Sequence, residues 1–415
     1  MNEERIPHIV PTLQPVSTIG AATLTRIAFR GGDLDEVLQQ LIASIDGSAN
    51  DAGVMLDASL VLQLVFRREE ALRLQRQALE QCTLFRVRGA TAPPASPRLK
   101  LLALVAPGDL MVNTPLEFIV EGSSVQLDLL YLLPDRELPE SAPDHDLLFL
   151  AVSEPDDNMV LLERIARIAE RWPRPVVNDA RRIMRLSRPE VFAMLHDLPG
   201  VHMPPTVMVE RLQLTELESS ADAATRLLFE AGFPLLVRPV GSHAGAGLEK
   251  LDGPGELSAY LERSDAGRFY VTPFVDYASS DGLFRKYRIV FLEGKPYLCH
   301  MAISESWMIH YLNAGMDKSA AKREEEGRTM ASFDGDFAER HREALEAVDR
   351  ALGLDYAGID CGESRDGRLF VFEADVAMVI HTMDPPELYP YKPGQMQKVF
   401  AAFFRMLEKI RDRPA

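Results

Sequence analysis

From Leu99 to Asp179 short apolar runs alternate with polar, helix-forming stretches, and this alternation constrains the fold more than anything else in the chain. LKLLALVAP (99–107), VQLDLLYLL (125–133) and HDLLFLAVS (145–153) are apolar at almost every position, as strands covered on both faces are. A helix is expected from Asp157 to Arg171, and PVVND (175–179) reads as a short fourth strand. The pattern predicts an α/β region with a parallel sheet. Such sheets bind ligands at the carboxyl ends of their strands. Ala106-Pro107-Gly108, Ser153-Glu154 and Asn178-Asp179 are therefore the ends to watch.

With 415 residues the chain has room for two or three domains. A formal net charge of -17 argues against a nucleic-acid backbone as partner, though a local field still decides the case of a small anion. Cys82, Cys299 and Cys361 are scattered without metal-ligand spacing, which suits a reducing cytoplasm. No apolar run is long enough to span a membrane. The opening MNEERIPHIVP has no apolar core of a secretory signal, so a cytoplasmic protein is expected.

Residues 1 to about 17 read as an irregular lead-in with Pro7, Pro11 and Pro15, and residues 32–88 as helical. DASLVLQLVFRREEALRLQRQALEQ resembles one tetratricopeptide-like unit, present once, where a solenoid needs stacked copies. Its arginines either hold an acidic protein partner or line a solvated face, and a homo-oligomer formed through these helices is the other option. GATAPPASP (89–97) reads as a linker. The expected division is a helical region at 1–96, a parallel-sheet domain at 97–180 and a larger α/β (α+β) domain at 181–415. On this reading residues 98–415 fold without the helices.

In the third region a helix is expected from Ala180 to Leu195 and a strand from Pro205 to Val209. Leu235-Leu236-Val237 then delivers Arg238 to a loop with Gly241, Ser242, Gly245, Ala246 and Gly247. Small residues let backbone N–H groups approach phosphate oxygens, although a plain surface turn has the same composition. A strand into a turn (268–277) and a meander (286–304) follow, then a charge-dense flexible run (317–329) and a helix from Phe337 to Leu352. Tyr356 to Asp375 reads as two strands around Ser364-Arg365-Asp366-Gly367. Glu373 and Asp375 are two apart and share a face, and Asp360 lies on the partner strand. The three are either ordinary surface acids or the ligands of a hard cation, with Mg2+ the natural one. A helix from Gly394 to Ile410 closes the chain.

The order of these pieces resembles the ATP-grasp superfamily, most of all its glutathione synthetase and RimK-type carboxylate–amine ligases, over roughly residues 98–410. The resemblance implies a parallel-sheet domain ahead of a two-lobed ATP-grasp fold, with a lid lobe at about 204–274. It implies ATP and Mg2+ as cofactors. Arg188, in NDARRIMRLSRPEVF, and Arg238 would touch the ATP phosphates where the family usually has Lys. Loop 241–247 would cover the β- and γ-phosphates. Thr272, Phe274 and Val275 would clasp adenine, with Asp276 near the ribose. Arg288, His310 and Asn313 would lie near the phosphate and acyl groups, with His300 in the same stretch. Asp360, Glu373 and Asp375 would bind metal, Asp375 standing where the family usually has Asn.

The implied reaction moves the γ-phosphoryl group of ATP to a carboxylate of a small molecule or peptide, and an amine then displaces phosphate. Two alternatives stay open: a grasp-fold nucleotide sensor or scaffold without ligase activity, and an ATP-dependent small-molecule kinase.

Overall fold

The computed structural model describes residues 5–48, 50–88, 97–153, 158–217, 232–242, 245–310 and 313–413. The chain divides into two compact units, one made of residues 1–154, 158–183 and 376–415, the other chiefly of 184–375. Both mix helices with sheets, so the α/β class expected from the alternation is the class observed.

In the first unit β1 (His8–Val10) pairs with β6 (Ser141–Pro143). A six-stranded sheet holds β2 (Val16–Thr18), β3 (Leu84–Val87), β4 (Leu99–Val105), β5 (Val125–Tyr131), β7 (Leu147–Leu150) and β8 (Val176–Val177). Its order is β2-β3-β5-β4-β7-β8. The pairs β5–β4, β4–β7 and β7–β8 are parallel, as the apolar runs predict, and β3 enters antiparallel to β5. Leu99, Leu102, Leu104, Leu147 and Phe149 are fully buried, so strands covered on both faces account for the runs. The helix Lys392–Arg411 belongs to this unit, and its Phe403 ring lies 6.2 Å from that of Phe149.

The amino-terminal region differs from the sequence expectation. The lead-in contains β1 and β2, and the stretch read as helix to Arg88 ends instead in β3. Helices Asp51–Leu64 and Arg68–Gln81 are present, joined at Val65–Arg67 with Phe66 at φ +61°. They are built into the sheet unit. Leu24, Leu38, Val61 and Leu62 share one core cluster with Phe118 and Met383, and Phe85 packs with Leu56 and Leu79. The Gln63 side-chain oxygen Oε1 accepts from the Leu110 amide at 2.9 Å, and the Gln75 side chain exchanges two hydrogen bonds with the Gly108 backbone. Gly20, at φ +94°, takes a backbone that favours glycine, and a Cβ there would lie 2.3 Å from Glu117 Oε2. Residues 89–96 of the expected linker, Glu154 and the expected helix start at Asp157 lie outside the described residues. Among the described residues no helix is long and apolar enough to cross a membrane.

The second unit holds two sheets. One, ordered β10-β13-β11-β12, is antiparallel and comprises β10 (Val207–Glu210), β11 (Leu235–Pro239), β12 (Glu249–Leu251) and β13 (Arg268–Pro273). Its core is Val209, Leu235, Val237, Leu251, Tyr260, Phe269 and Val271. The other is ordered β15-β14-β16-β17-β9. It comprises β14 (Phe284–Leu292), β15 (Lys295–Ser304), β16 (Tyr356–Glu363), β17 (Leu369–Asp375) and the short β9 (Val201–His202). Glu293 and Gly294 join β14 to β15 with φ of +54° and +75°.

Three details differ from expectation here. The helix expected from Ala180 to Leu195 is two pieces, Ala180–Ile183 and Arg188–Leu195. The charge-dense run is a helix, Ala320–Ser332, whose first turn is capped by the Ser319 side chain accepting from the Lys322 amide at 3.3 Å. The helix expected from Phe337 to Leu352 breaks at His341.

Candidate active site

The site begins with one row of side chains across β14, β16 and β17. Strand β14 alternates: Tyr287, Ile289 and Phe291 are buried while Lys286 and Arg288 are half-buried on the other face. Antiparallel register places Arg288 opposite Asp360 on β16, and Asp360 opposite Glu373 on β17. Side chains directly opposite in such pairs are near neighbours, so an Arg-Asp-Glu row forms on one face. His300 on β15 extends it, opposite Arg288. Asp375 ends β17 opposite Gly358.

Two adjacent carboxylates repel unless cations compensate them, and here the cations are protein groups. Arg288 grips Asp360 with two bonds, Nε to Oδ1 at 2.8 Å and a terminal nitrogen to Oδ2 at 2.9 Å. Lys286 Nζ adds a third contact, to Oδ2 at 2.6 Å. Asp360 has no solvent exposure. Burial pushes its pKa up, but the Arg288 and Lys286 charges outweigh that and hold it well below the usual carboxylate range. Arg188, the first residue of its helix, pairs with Glu373 and also donates to the Phe372 carbonyl at 3.4 Å. Burial raises the Glu373 pKa, and the charges of Arg188, Lys286 and Arg238 together more than reverse this.

The glycine loop joins β11 to β12. Gly241, Gly245 and Gly247 take φ of +74°, +73° and +66°, a backbone that favours glycine. His243 and Ala244 lie outside the described residues. Arg238 pairs with the loop itself, donating to the Ser242 hydroxyl at 3.2 Å and to its carbonyl. Burial, then repulsion from Arg188, lowers the Arg238 pKa to about 10, so it stays charged at neutral pH. The His310 ring sits against the loop: a Cβ at Gly245 would come within 2.3 Å of its Nε2. That nitrogen is buried with no hydrogen-bond partner among the described residues. Burial, then the nearby Lys286 charge, lowers the His310 pKa, so the ring is neutral at pH 7. A buried polar atom without a partner calls for an explanation, and a water, an ion or a ligand would each supply one.

Gly245→Ala tests this packing. The αL backbone costs a residue with a Cβ about 1–2 kcal/mol, and the His310 ring must also move. We expect a urea-derived stability loss of about that size, with a shifted His310 ring resonance in NMR.

The remaining expected residues are placed as follows. The Phe274 amide donates to the Pro234 carbonyl at 2.8 Å, and its ring lies under Lys250 Nζ (4.7 Å) and edge-on to Trp307 (5.7 Å). Thr272 Oγ1 is buried without a partner among the described residues, and Val275 is half-buried. Asp276 is exposed and pairs with Arg365 at 2.6 Å. Asn313 accepts from the His310 amide at 2.9 Å, which ties it to the backbone beside the ring. Ala246 lies in the glycine loop. Sequence reasoning missed Lys286, although its place two residues before Arg288 is the signal that puts both on one face.

The carboxylates as arranged do not fit a divalent metal. Mg2+ needs free oxygen ligands at about 2.0–2.1 Å, whereas both Asp360 oxygens are taken by cations. Among the described residues no group of three His, Cys, Asp or Glu is placed to hold an ion.

No family model matches the chain, and no curated protein matches it. Solved structures do resemble it. A D-alanine–D-alanine ligase from Bacillus anthracis complexed with ATP is 15% identical over 76% of this chain and 99% of its own, with a TM-score of 0.46. D-alanyl-alanine synthetase A from Vibrio cholerae is 11% identical over 77% and 100%, TM-score 0.47. A RimK domain ATP-grasp protein from Sphaerobacter thermophilus is 17% identical over 73% and 98%, TM-score 0.39. Likenesses this faint decide nothing about the chain's activity.

Proposed function

We propose that the chain is an ATP-grasp carboxylate–amine ligase, forming an amide or peptide-like bond through an acyl phosphate with ADP and phosphate as products. The observation that carries this reading is the convergence of Arg188, Lys286, Arg288 and the unpartnered His310 nitrogen beside a glycine loop in one unit. Phosphoryl transfer needs positioning and charge neutralisation more than covalent help from the protein. Arg188 and Arg238 supply planar donor forks suited to phosphate oxygens. Arg288 and Lys286 place positive charge where a carboxylate and a phosphoryl group must approach each other. Neutral His310 offers a hydrogen bond without adding charge. Backbone N–H groups of 241–247 would cover the phosphates and keep water from the acyl phosphate. Thr272, Phe274 and Val275 are the proposed adenine contacts, Asp276 the ribose contact, and Asn313 holds the His310 segment.

The sensor reading gains support from the neutralisation of Asp360 by two cations, which leaves a binding site without an evident metal-assisted step. ADP release from the full chain, measured with amino acids and peptides offered singly and in pairs, separates the readings. A ligase needs both an acid and an amine. ADP release that tracks phosphorylation of one substrate alone selects the kinase, and ATP binding without turnover selects the sensor.

A further inference from the structure

We infer that Asp360 and Glu373 act as counter-ions for the site's cations rather than as metal ligands, so that Arg188, Arg238, Lys286 and Arg288 hold a nucleoside triphosphate without a divalent cation. The inference rests on the nucleotide reading above and goes beyond it in what neutralises the phosphates.

Three observations carry it. First, Asp360 is fully buried and three contacts at 2.6–2.9 Å already occupy its two oxygens. A metal would have to displace Arg288 or Lys286 and would then lie beside both positive charges. Second, the Glu373 carboxylate is held by Arg188, and the charge of Arg238 also reaches it. The four cations face two carboxylates, Asp360 and Glu373, so this cluster keeps an excess of positive charge for an anion. Third, a guanidinium has five N–H donors and an ammonium three. A cation of this kind can stay on its carboxylate and still donate to a phosphate, so ligand and counter-ion need not compete. The unpartnered Nε2 of His310 lies beside the glycine loop in the same unit.

Calorimetric titration of ATP into the full chain, with EDTA and then with Mg2+, tests this. The expected result is an EDTA affinity within about threefold of the Mg2+ value, with tripolyphosphate also binding in EDTA. Asp360→Asn should keep or raise ATP affinity in EDTA, because it leaves Lys286 and Arg288 to the phosphates. Mn2+ added to the protein alone should keep its free-ion electron paramagnetic resonance signal. Affinity about tenfold or more weaker in EDTA, or loss of the free Mn2+ signal on titration with protein, overturns the inference and returns the carboxylates to a metal. Absence of ATP binding in both conditions sinks the nucleotide reading, and the inference with it. Should Asp360→Asn fail to fold by circular dichroism, the wild-type comparison and the Mn2+ measurement decide alone.

Discussion

A chain beginning at Arg98 is expected to be insoluble, or to lack a cooperative unfolding transition, although the proline-rich 89–97 stretch invites a cut there. The removed segment supplies β3, whose Leu84, Phe85 and Arg86 pair with Leu130, Leu129 and Asp128 of β5. Without it β5 becomes a seven-residue edge with five apolar positions and unpaired backbone groups, the kind of edge that recruits other chains. Asp128, only 2% exposed, loses the two-bond grip of Arg86 at 2.7 and 2.8 Å. Phe118 and Met383 lose their cover of helical side chains. Each such exposure costs about 1.5–3 kcal/mol, and a stripped ion partner adds to it, against a total stability of about 5–15 kcal/mol for a domain. Loss of the Gln63 and Gln75 bonds also frees the loop after β4. Size exclusion and urea denaturation followed by circular dichroism check this. A monodisperse 98–415 fragment with a single steep transition would show that the helices are an appendage after all.

How far the chain could be read ahead of its structure depended on whether local pattern or distant pairing decides an element. Strands β4, β5 and β7 were legible because burial on both faces leaves an unbroken apolar run. The acidic hairpin was legible because Gly367, at φ +82°, follows a turn-forming run between two apolar segments. Strand β3 was not: four residues after a helical stretch carry little signal, and pairing with β5 forty residues on decides their state. The helix Ala320–Ser332 hid for the opposite reason. It has almost no apolar stripe, burying only Glu326 and Met330, so its composition imitates a flexible run. In the site, the convergence of Asp360 with Glu373 followed from strand spacing. Neutralisation of Asp360 did not, because it depends on the register that sets Arg288 across from a residue 72 positions away. Arg288 was reached only through the family resemblance, and Lys286, two residues before it on the same face, was within reach of a period-two argument from there.

Asp360→Asn should cost the fold about 3–5 kcal/mol at neutral pH, the range for breaking a buried ion pair by removing one partner. Asp360 has no exposure, and the side chains of Lys286 and Arg288 are only 15% and 19% exposed. The variant keeps the shape of the side chain and deletes the charge, leaving two poorly solvated cations to repel each other. The pH dependence gives an independent check. The folded-state pKa of Asp360 lies below its ordinary value, since the two cations outweigh the effect of burial. A carboxylate depressed in this way contributes stability that is fully present above its unfolded pKa of about 3.9. That contribution is lost as pH falls below this value and through the folded pKa. The wild-type advantage over the variant should therefore be flat from pH 6 to 8 and shrink below about pH 4. Adding Lys286→Met to the variant removes one of the stranded charges and should recover part of the loss, a coupling that a double-mutant cycle measures. Urea midpoints across that pH range for the wild type, both single variants and the double variant provide the test. If the wild-type and Asp360→Asn curves run parallel down to pH 3, or if Lys286→Met gives no recovery, the ion triad is not what stabilises this row, and Asp360 is then held for its ligand rather than for the fold.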